Sequence, residues 1–178
     1  MTPPSGQIHA MRKAHLLIAV AIVLLDRLTK YIVARNISLH ESINVIPGFF
    51  RLTHVQNRGA AFGLFSDSPS EYKVAVLVLF SLVALVVVSA LLWKNSHAIN
   101  TTGFGLALIL GGAVGNLWDR LVAGHVVDFL DFSVAGYHWP AFNVADSAIV
   151  IGALLLVTEI LFSKPAEDKK PARDRVVG

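Results

Sequence analysis

Four long apolar segments dominate the chain, and each is long enough to cross a membrane as a helix. They cover residues 15–34, 74–93, 102–118 and 143–162. A hydrocarbon core of roughly 30 Å is spanned by about 20 helical residues. The pattern therefore predicts a mainly α-helical integral membrane protein, with four transmembrane helices in a single domain covering residues 1–178.

The first apolar segment has the general form of a secretory signal peptide, because Arg12 and Lys13 precede it. No convincing small-x-small cleavage site follows the apolar core; Asp26, Arg27 and Lys30 follow instead. We therefore interpret this segment as a retained helix.

Lysine and arginine predict the orientation, because short cytoplasmic loops carry an excess of both. The predicted cytoplasmic ends carry Arg12, Lys13, Lys94, Lys164, Lys169, Lys170, Arg173 and Arg175, and the outer side carries Arg35, Arg51, Arg58, Lys73 and Arg120. Both termini are then cytoplasmic, and the loops at 35–73 and 119–142 face outward. The charged, proline-containing tail at 164–178 is predicted to be disordered.

The first outer loop is predicted to contain a small β-hairpin or sheet that rests on the membrane surface. Ser42–Ile46 and Phe49–Val55 are rich in β-branched and aromatic residues, and Pro47-Gly48 between them is a turn signal. Two interpretations of its aromatic residues are equally favoured: insertion into the membrane interface, or a small hydrophobic core. The residues concerned are Phe49, Phe50, Phe62 and Phe65.

Composition supports a membrane protein and excludes several other classes. Hydrophobic residues make up 54% of the chain and charged residues 15%, whereas soluble domains contain about 25% charged residues. The net charge of +3 lies mostly at segment ends and in the tail, so a nucleic-acid interface is not expected. The absence of cysteine excludes disulfides, thiolate metal sites and a cysteine nucleophile.

Polar residues concentrate at the predicted outer ends of the first, third and fourth helices. They are Asp26, Thr29 and Lys30; Asn116, Asp119 and Arg120; and Asn143, Asp146 and Ser147. Ionisable groups cost about 2.5–3.5 kcal/mol at the centre of a membrane helix, so such a group indicates a functional site. We therefore expect these three helix ends to form a site at one depth.

The spacing of these polar residues predicts specific contacts. Asp26 and Lys30 are four residues apart, so they lie on one helix face and can pair. Gly112, Asn116 and Arg120 form a second such stripe. Gly111 and Gly115 are typical of close helix contact. Asn143 followed by Asp146 fits a helix N-cap with an acidic third position, which is a purely structural role for Asp146.

Two neighbouring carboxyl groups would provide one acid and one base, which can activate water against an amide. The outer-side candidates are Asp119, Asp128, Asp131 and Asp146. Asp119 adjoins Arg120 and is predicted to form a structural ion pair. Asp128 lies between Val127 and Phe129, which suggests a partly buried position. Spacing alone leaves Asp131 as a competitor.

Other chemistries fit the sequence less well. His125, Asp128 and His138 could bind zinc, but the chain lacks an HExxH motif. A Ser147–Lys30 pair is conceivable, although Ser147 next to Asp146 is more simply a helix-bonding hydroxyl. A small transporter is disfavoured because the inner halves of the helices are almost free of polar residues. A membrane assembly subunit without enzymatic activity also stays open.

Five blocks in order along the chain resemble those of the bacterial lipoprotein signal peptidase (signal peptidase II) family, which are membrane aspartic peptidases. The blocks are DRLTK at 26–30, QNRGAAF at 56–62, GNLWDR at 115–120, GHVVDF at 124–129 and FNVADS at 142–147. In that family the aspartates of the fourth and fifth blocks are the catalytic pair. The resemblance carries these roles to Asp128 and Asp146.

The resemblance also implies supporting or substrate-binding roles around that pair. They fall on Asp26, Lys30, Asn57, Gly112, Asn116, Arg120, Asn143 and Ala145. The implied substrates are prolipoproteins whose cysteine carries diacylglycerol, cleaved on the amino side of that cysteine without a metal ion or cofactor. The implied partners further include membrane lipid and globomycin-type inhibitors. The implied location is the bacterial inner membrane, with the active site near the outer leaflet. Arg58 stands where many relatives have a small residue.

Overall fold

The computed structural model describes residues 5–59, 70–95 and 100–162. Within these ranges the chain forms four helices and four strands. In order they are α1 (Ser5–Asn36), β1 (Ser42–Ile46), β2 (Phe50–Asn57), α2 (Ser70–Lys94), α3 (Thr101–Ala123), β3 (Val126–Val134), β4 (Tyr137–His138) and α4 (Val144–Phe162). The predictions for Phe62, Phe65 and the tail at 164–178 fall outside the described residues.

Each helix covers its predicted apolar segment to within one residue, and α1 begins ten residues before its segment. In the described part of the chain, α2, α3 and α4 are each long and apolar enough to cross a membrane. The crossing of α1 stays a prediction: this 32-residue helix is long enough, but charged residues interrupt its apolar run at both ends. The structure thus supports a mainly helical protein with three candidate membrane spans.

The third helix packs against the other three, and glycines let the backbones approach closely. A Cβ atom at Gly111 would lie 2.7 Å from the carbonyl oxygen of Ala19 in α1. A Cβ atom at Gly112 would overlap the carbonyl oxygen of Ala145 in α4. The predicted close helix contact is therefore confirmed, and it lies within this chain.

The strands form one antiparallel sheet in the order β1-β2-β3-β4. The predicted hairpin is confirmed: β1 pairs with β2, and Gly48 in the turn has a φ of 75°, which a residue without Cβ adopts easily. The loop at 119–142 also contains two strands, which the sequence pattern did not indicate. There α3 continues to Ala123, Gly124 ends it in a left-handed conformation, and β3 then pairs with β2.

A small hydrophobic core joins α1 to this sheet. Val33 of α1 and Ile37, which directly follows this helix, bury against Phe129 of β3. On the sheet, the rings of Phe50 and Phe132 stack 4.7 Å apart, and Phe142 stacks on Phe132 at 5.9 Å. Phe50 thus belongs to a small aromatic core, whereas Phe49 touches the same cluster and stays 46% exposed. This core fixes β3 against the helix ends.

Candidate active site

Asp146 lies at the third position of α4, in the first turn, where the local sequence forms a reciprocal cap. The side-chain oxygen of Asn143 accepts a hydrogen bond from the Asp146 N–H at 2.9 Å. The Asp146 carboxylate in turn accepts from the Asn143 N–H at 3.3 Å. This is a capping box. The predicted capping role is confirmed, and the same cap fixes the direction of the Asp146 side chain.

Asp128 comes from the middle of the sheet and is only 3% exposed. Each of its oxygens accepts one amide hydrogen bond. Asn57, at the end of β2, donates to one oxygen at 2.9 Å, and Asn143 donates to the other at 2.7 Å. Asn143 therefore contacts both aspartates: its side-chain carbonyl oxygen accepts from the Asp146 N–H, and its side-chain NH₂ group donates to Asp128.

Asn116 of α3 supports Asp146 from the opposite side. Its amide donates to Asp146 at 2.7 Å, and its carbonyl oxygen accepts from the Lys30 ammonium at 3.0 Å. The oxygen and nitrogen of a side-chain amide are told apart by their hydrogen-bond partners, and an ammonium group can only donate. Lys30 therefore fixes which end of Asn116 points at Asp146.

Burial raises the pKa of Asp128 to about 6, and the nearby charge of Asp146 acts in the same direction. The amide hydrogen bonds from Asn57 and Asn143 and the charge of Lys30 oppose this rise. Burial penalises the charged form, whereas these bonds favour it. Asp128 can therefore both bind and release a proton in the neutral range of pH.

A buried charge cluster lies behind the two aspartates. Lys30, which is 3% exposed, lies 2.7 Å from Asp26 and 2.6 Å from Asp119. The predicted Asp26–Lys30 pair is confirmed. Asp26 is fully buried, and its second oxygen accepts from the Ala145 N–H at 3.0 Å. The cluster thus ties α1 and α3 to the first turn of α4.

The predicted partner of Asp119 is wrong. Asp119 pairs with Lys30 and Arg27 of α1, because adjacent residues on a helix point about 100° apart. Arg120 points to the other side, where it lines the cleft beside Asp128 and Asp146. Its guanidinium donates to the carbonyl oxygens of Asn116 at 3.2 Å and Gly59 at 3.4 Å.

A cleft of about 30 Å³ joins the two aspartates. Roughly 10–15 Å³ of cavity volume is enough to hold one water molecule, so this cleft, which both aspartates line, has room for water. The sequence interpretation missed part of its wall. Besides the residues already named, Val126 and the 140–142 segment before α4 line the cleft. Val126 and Phe142 lie within recognised blocks, whereas Pro140 and Ala141 do not.

Asp131, the competing aspartate, has other partners. Residues three apart on a strand point to opposite faces, and Asp131 pairs with Arg51 at 2.5 Å and with His138 at 2.9 Å.

The His125–Asp128–His138 zinc hypothesis gains no support, since the described residues contain no cluster of three potential ligands. Nor do Ser147 and Lys30 form a pair. The Ser147 hydroxyl donates to the Asn143 carbonyl at 2.8 Å, as the helix-bonding interpretation predicts.

Comparisons with known proteins agree on one family. The family model described as signal peptidase (SPase) II matches residues 18–162. A lipoprotein signal peptidase of Desulforapulum autotrophicum is 52% identical over 152 residues, covering 83% of this chain and 91% of that protein. One from Solibacter usitatus is 46% identical over 147 residues, covering 83% and 90%.

Solved structures give the same result for the fold. A bacterial membrane enzyme determined by the in meso method at 2.3 Å resolution matches with a TM-score of 0.78 and 32% identity. The match covers 90% of this chain and 95% of that one. A second membrane enzyme structure, at 1.9 Å, matches with a TM-score of 0.75 and 34% identity over 85% and 95% of the two chains.

Proposed function

Because this chain belongs to the signal peptidase II family, and is therefore an aspartic-type signal peptidase of a membrane, we propose that Asp128 and Asp146 are its catalytic pair. The proposed reaction removes the signal peptide from diacylglyceryl-modified prolipoproteins on the amino side of the lipidated cysteine. The observation that carries the proposal is the cleft with room for water that both Asp128 and Asp146 line.

The pair supplies an acid and a base in this proposal. One aspartate is ionised and takes a proton from water while the water oxygen attacks the scissile carbonyl carbon. The other aspartate is protonated and donates to the carbonyl oxygen. The tetrahedral intermediate then collapses: the carbon–nitrogen bond breaks, and the leaving amine receives a proton from the pair. No covalent enzyme intermediate is formed.

The amides around the pair support this cycle by holding both carboxyl groups in place. Asn143 contacts both aspartates, Asn57 holds Asp128, and Asn116 holds Asp146. Arg120 places a positive charge beside the cleft, where it can stabilise the negative charge that develops on the carbonyl oxygen. Catalysis of this kind depends on positioning, so these residues are proposed as supporting groups.

The proposed topology has both termini in the cytoplasm of the bacterial inner membrane, α1 as a fourth span, and the cleft near the outer leaflet. Its support is the separation of charge along the helices. Arg12, Lys13 and Lys94 lie at the ends remote from the cleft, which fits the excess of basic residues on the cytoplasmic side. A substrate held by diacylglycerol in the outer leaflet would present its scissile bond at the depth of the cleft.

Globomycin-type inhibitors are proposed to bind at the same cleft. The exposed side chain of Arg58 directly follows Asn57, whose amide holds Asp128. A long cation in this position would contact ligands that approach the cleft from outside. An Arg58→Thr variant tests this proposal. The inhibitor concentration that gives half inhibition should change, whereas the rate of substrate cleavage should change little.

A cleavage assay with two matched substrates tests the proposed function. One is a diacylglyceryl-modified prolipoprotein, and the other is the same precursor without the lipid. We expect the purified protein to cleave the lipidated form, seen as a mobility shift on a gel, and to do so equally well in EDTA. Equal cleavage of both precursors would contradict the proposed substrate class, and loss of activity in EDTA would contradict the metal-free mechanism.

A further inference from the structure

A second cavity lies between α1, α2 and α3, at the opposite end of the helices from the aspartate pair. Its volume is about 340 Å³, within the range of about 300–1,000 Å³ that is typical of small-molecule sites. It is bounded by His9, Arg12 and His15 of α1 and by Trp93 of α2. At about 1.5 Å of rise per residue, Arg12 lies roughly 21 Å along α1 from Asp26.

The mouth of this cavity is basic and aromatic. His9 and Arg12 are three residues apart and share one face of α1. The Arg12 guanidinium lies 3.8 Å from the centre of the Trp93 ring. Stacking of this kind holds the face of a guanidinium group. The N–H donors lie in the plane of the group, in an arrangement that suits a phosphate. Tryptophan is also enriched where membrane helices meet the headgroup region.

The rest of the wall is apolar, with one buried polar group. Leu16, Leu92 and Leu110 line the cavity. His15, which is 1% exposed, forms part of the wall, and neither ring nitrogen has a hydrogen-bond partner among the described residues. Its ring occupies the space beside Gly103, where a Cβ atom would lie 2.5 Å from Nε2. The cavity therefore combines a cationic mouth with an apolar body.

We propose that this cavity binds an anionic phospholipid, with the phosphate at Arg12 and His9 and an acyl chain along the leucines. Basic pockets between membrane helices recognise anionic headgroups on the cytoplasmic side. A zwitterionic lipid carries a cation next to its phosphate and fits the basic mouth less well. With the topology proposed above, the lipid belongs to the cytoplasmic leaflet. The site is separate from peptide cleavage and does not depend on the catalytic pair.

Native mass spectrometry of the full-length, delipidated protein tests this site. The measured quantity is the fraction of protein carrying one phospholipid as phosphatidylglycerol or phosphatidylcholine of identical chains is added. We expect phosphatidylglycerol to bind about tenfold more tightly than phosphatidylcholine, because both lipids carry a phosphate but only phosphatidylcholine adds a cation that Arg12 repels. Arg12→Gln should therefore remove this preference.

Lys13→Gln is the matched control, because it removes the same charge from the neighbouring, exposed position outside the cavity. We expect this variant to keep the preference for phosphatidylglycerol, and glycerol phosphate at millimolar concentration not to compete. Equal loss of preference in both variants would overturn the proposal in favour of diffuse charge. Equal binding of the two lipids, or competition by glycerol phosphate, would also overturn it.

Discussion

Asn143 is the residue on which both aspartates of the cleft depend. Its carbonyl oxygen fixes the first turn of α4, and its amide holds Asp128. The cap could be predicted from the Asn143–Asp146 spacing, but the link to Asp128 could not, because it joins α4 to a strand that the sequence does not reveal. Spacing likewise left Asp131 open, and only the sheet register shows its separate pairing with Arg51 and His138.

Replacing Asn143 with alanine should therefore affect stability and activity together. Loss of the N-cap costs about 0.5–2 kcal/mol, and release of the two carboxyl groups should lower kcat/KM by about 10²-fold or more. The measurements are thermal unfolding in detergent and cleavage of a lipidated precursor. Asn100→Ala is the matched control, because Asn100 caps α3 by accepting from the Gly103 N–H at 2.7 Å. Comparable loss of kcat/KM in both variants would contradict a specific role for Asn143.

The pKa of Asp128 predicts how stability depends on pH. Burial raises this pKa to about 6, compared with about 3.9 in an unfolded chain. The folded protein therefore binds the proton more tightly than the unfolded chain does. The stabilisation that this tighter proton binding provides is fully present below about pH 4 and is lost as the pH rises through about 6. Its full size is up to about 3 kcal/mol.

An Asp128→Asn variant does not titrate at this position. We expect its Tm to rise relative to that of the wild-type protein as the pH increases from 4 to 7, whatever the difference at pH 4. Thermal unfolding of both proteins over this range measures the change. A Tm difference that stays constant with pH would show that Asp128 has no raised pKa.

At the scale of elements, the third helix meets the first turn of α4 without a side chain between them. Gly112 lies against the Ala145 carbonyl, immediately before Asp146. A methyl group there must displace backbone, since a carbonyl oxygen cannot rotate away as a flexible side chain does. Overpacking of this kind costs about 1–3 kcal/mol.

Gly112→Ala should therefore displace Asp146 and reduce cleavage more than its effect on stability alone explains. Gly111→Ala is the control, because this preceding residue of the same helix is also crowded, with a Cβ atom 2.7 Å from the carbonyl oxygen of Ala19 in α1. We expect similar decreases in Tm for the two variants and a clearly larger decrease in kcat/KM for Gly112→Ala. Equal decreases in kcat/KM would contradict this role of the Gly112–Ala145 contact.

The elements differ in how well the sequence predicts them. The helices are long and uniformly apolar, and the β1–β2 hairpin has an alternating pattern around Pro47-Gly48. Strand β3 was missed because its aspartates are three residues apart and interrupt a period of two, and because both of its edges are paired. Its position follows from long-range pairing with β2, which the local sequence does not encode.

Across the whole molecule, one buried charge cluster connects the helices that carry the site. Lys30 of α1 contacts Asp119 of α3, and Asp26 of α1 binds the start of α4. The sequence predicted that these helix ends meet, and the contacts confirm it. Which charges pair between different helices could not be predicted, because the rotation of each helix is set by the glycine contacts between them.

Lys30→Met should destabilise the protein strongly, since it leaves Asp26 and Asp119 buried without their cation. Breaking a buried pair in this way costs about 3–5 kcal/mol. Arg27→Met is the control, because Arg27 contacts the same Asp119 with a side chain that is 42% exposed, and exposed pairs contribute about 0–1 kcal/mol. Thermal unfolding compares the two variants. A decrease in Tm that is as large for Arg27→Met as for Lys30→Met would contradict this account of the cluster.

The most direct test of the proposed catalytic pair is cleavage of a lipidated prolipoprotein by Asp128→Asn, Asp146→Asn and Asp131→Asn, each first shown to remain folded. Acid–base groups typically contribute about 10²–10⁴-fold to the rate. We predict that the first two variants each lose activity by at least this factor. Asp131→Asn, from the same strand as Asp128, should stay within a few-fold of the wild-type rate. Retained cleavage by either of the first two variants would contradict the assignment of Asp128 and Asp146 as the catalytic pair.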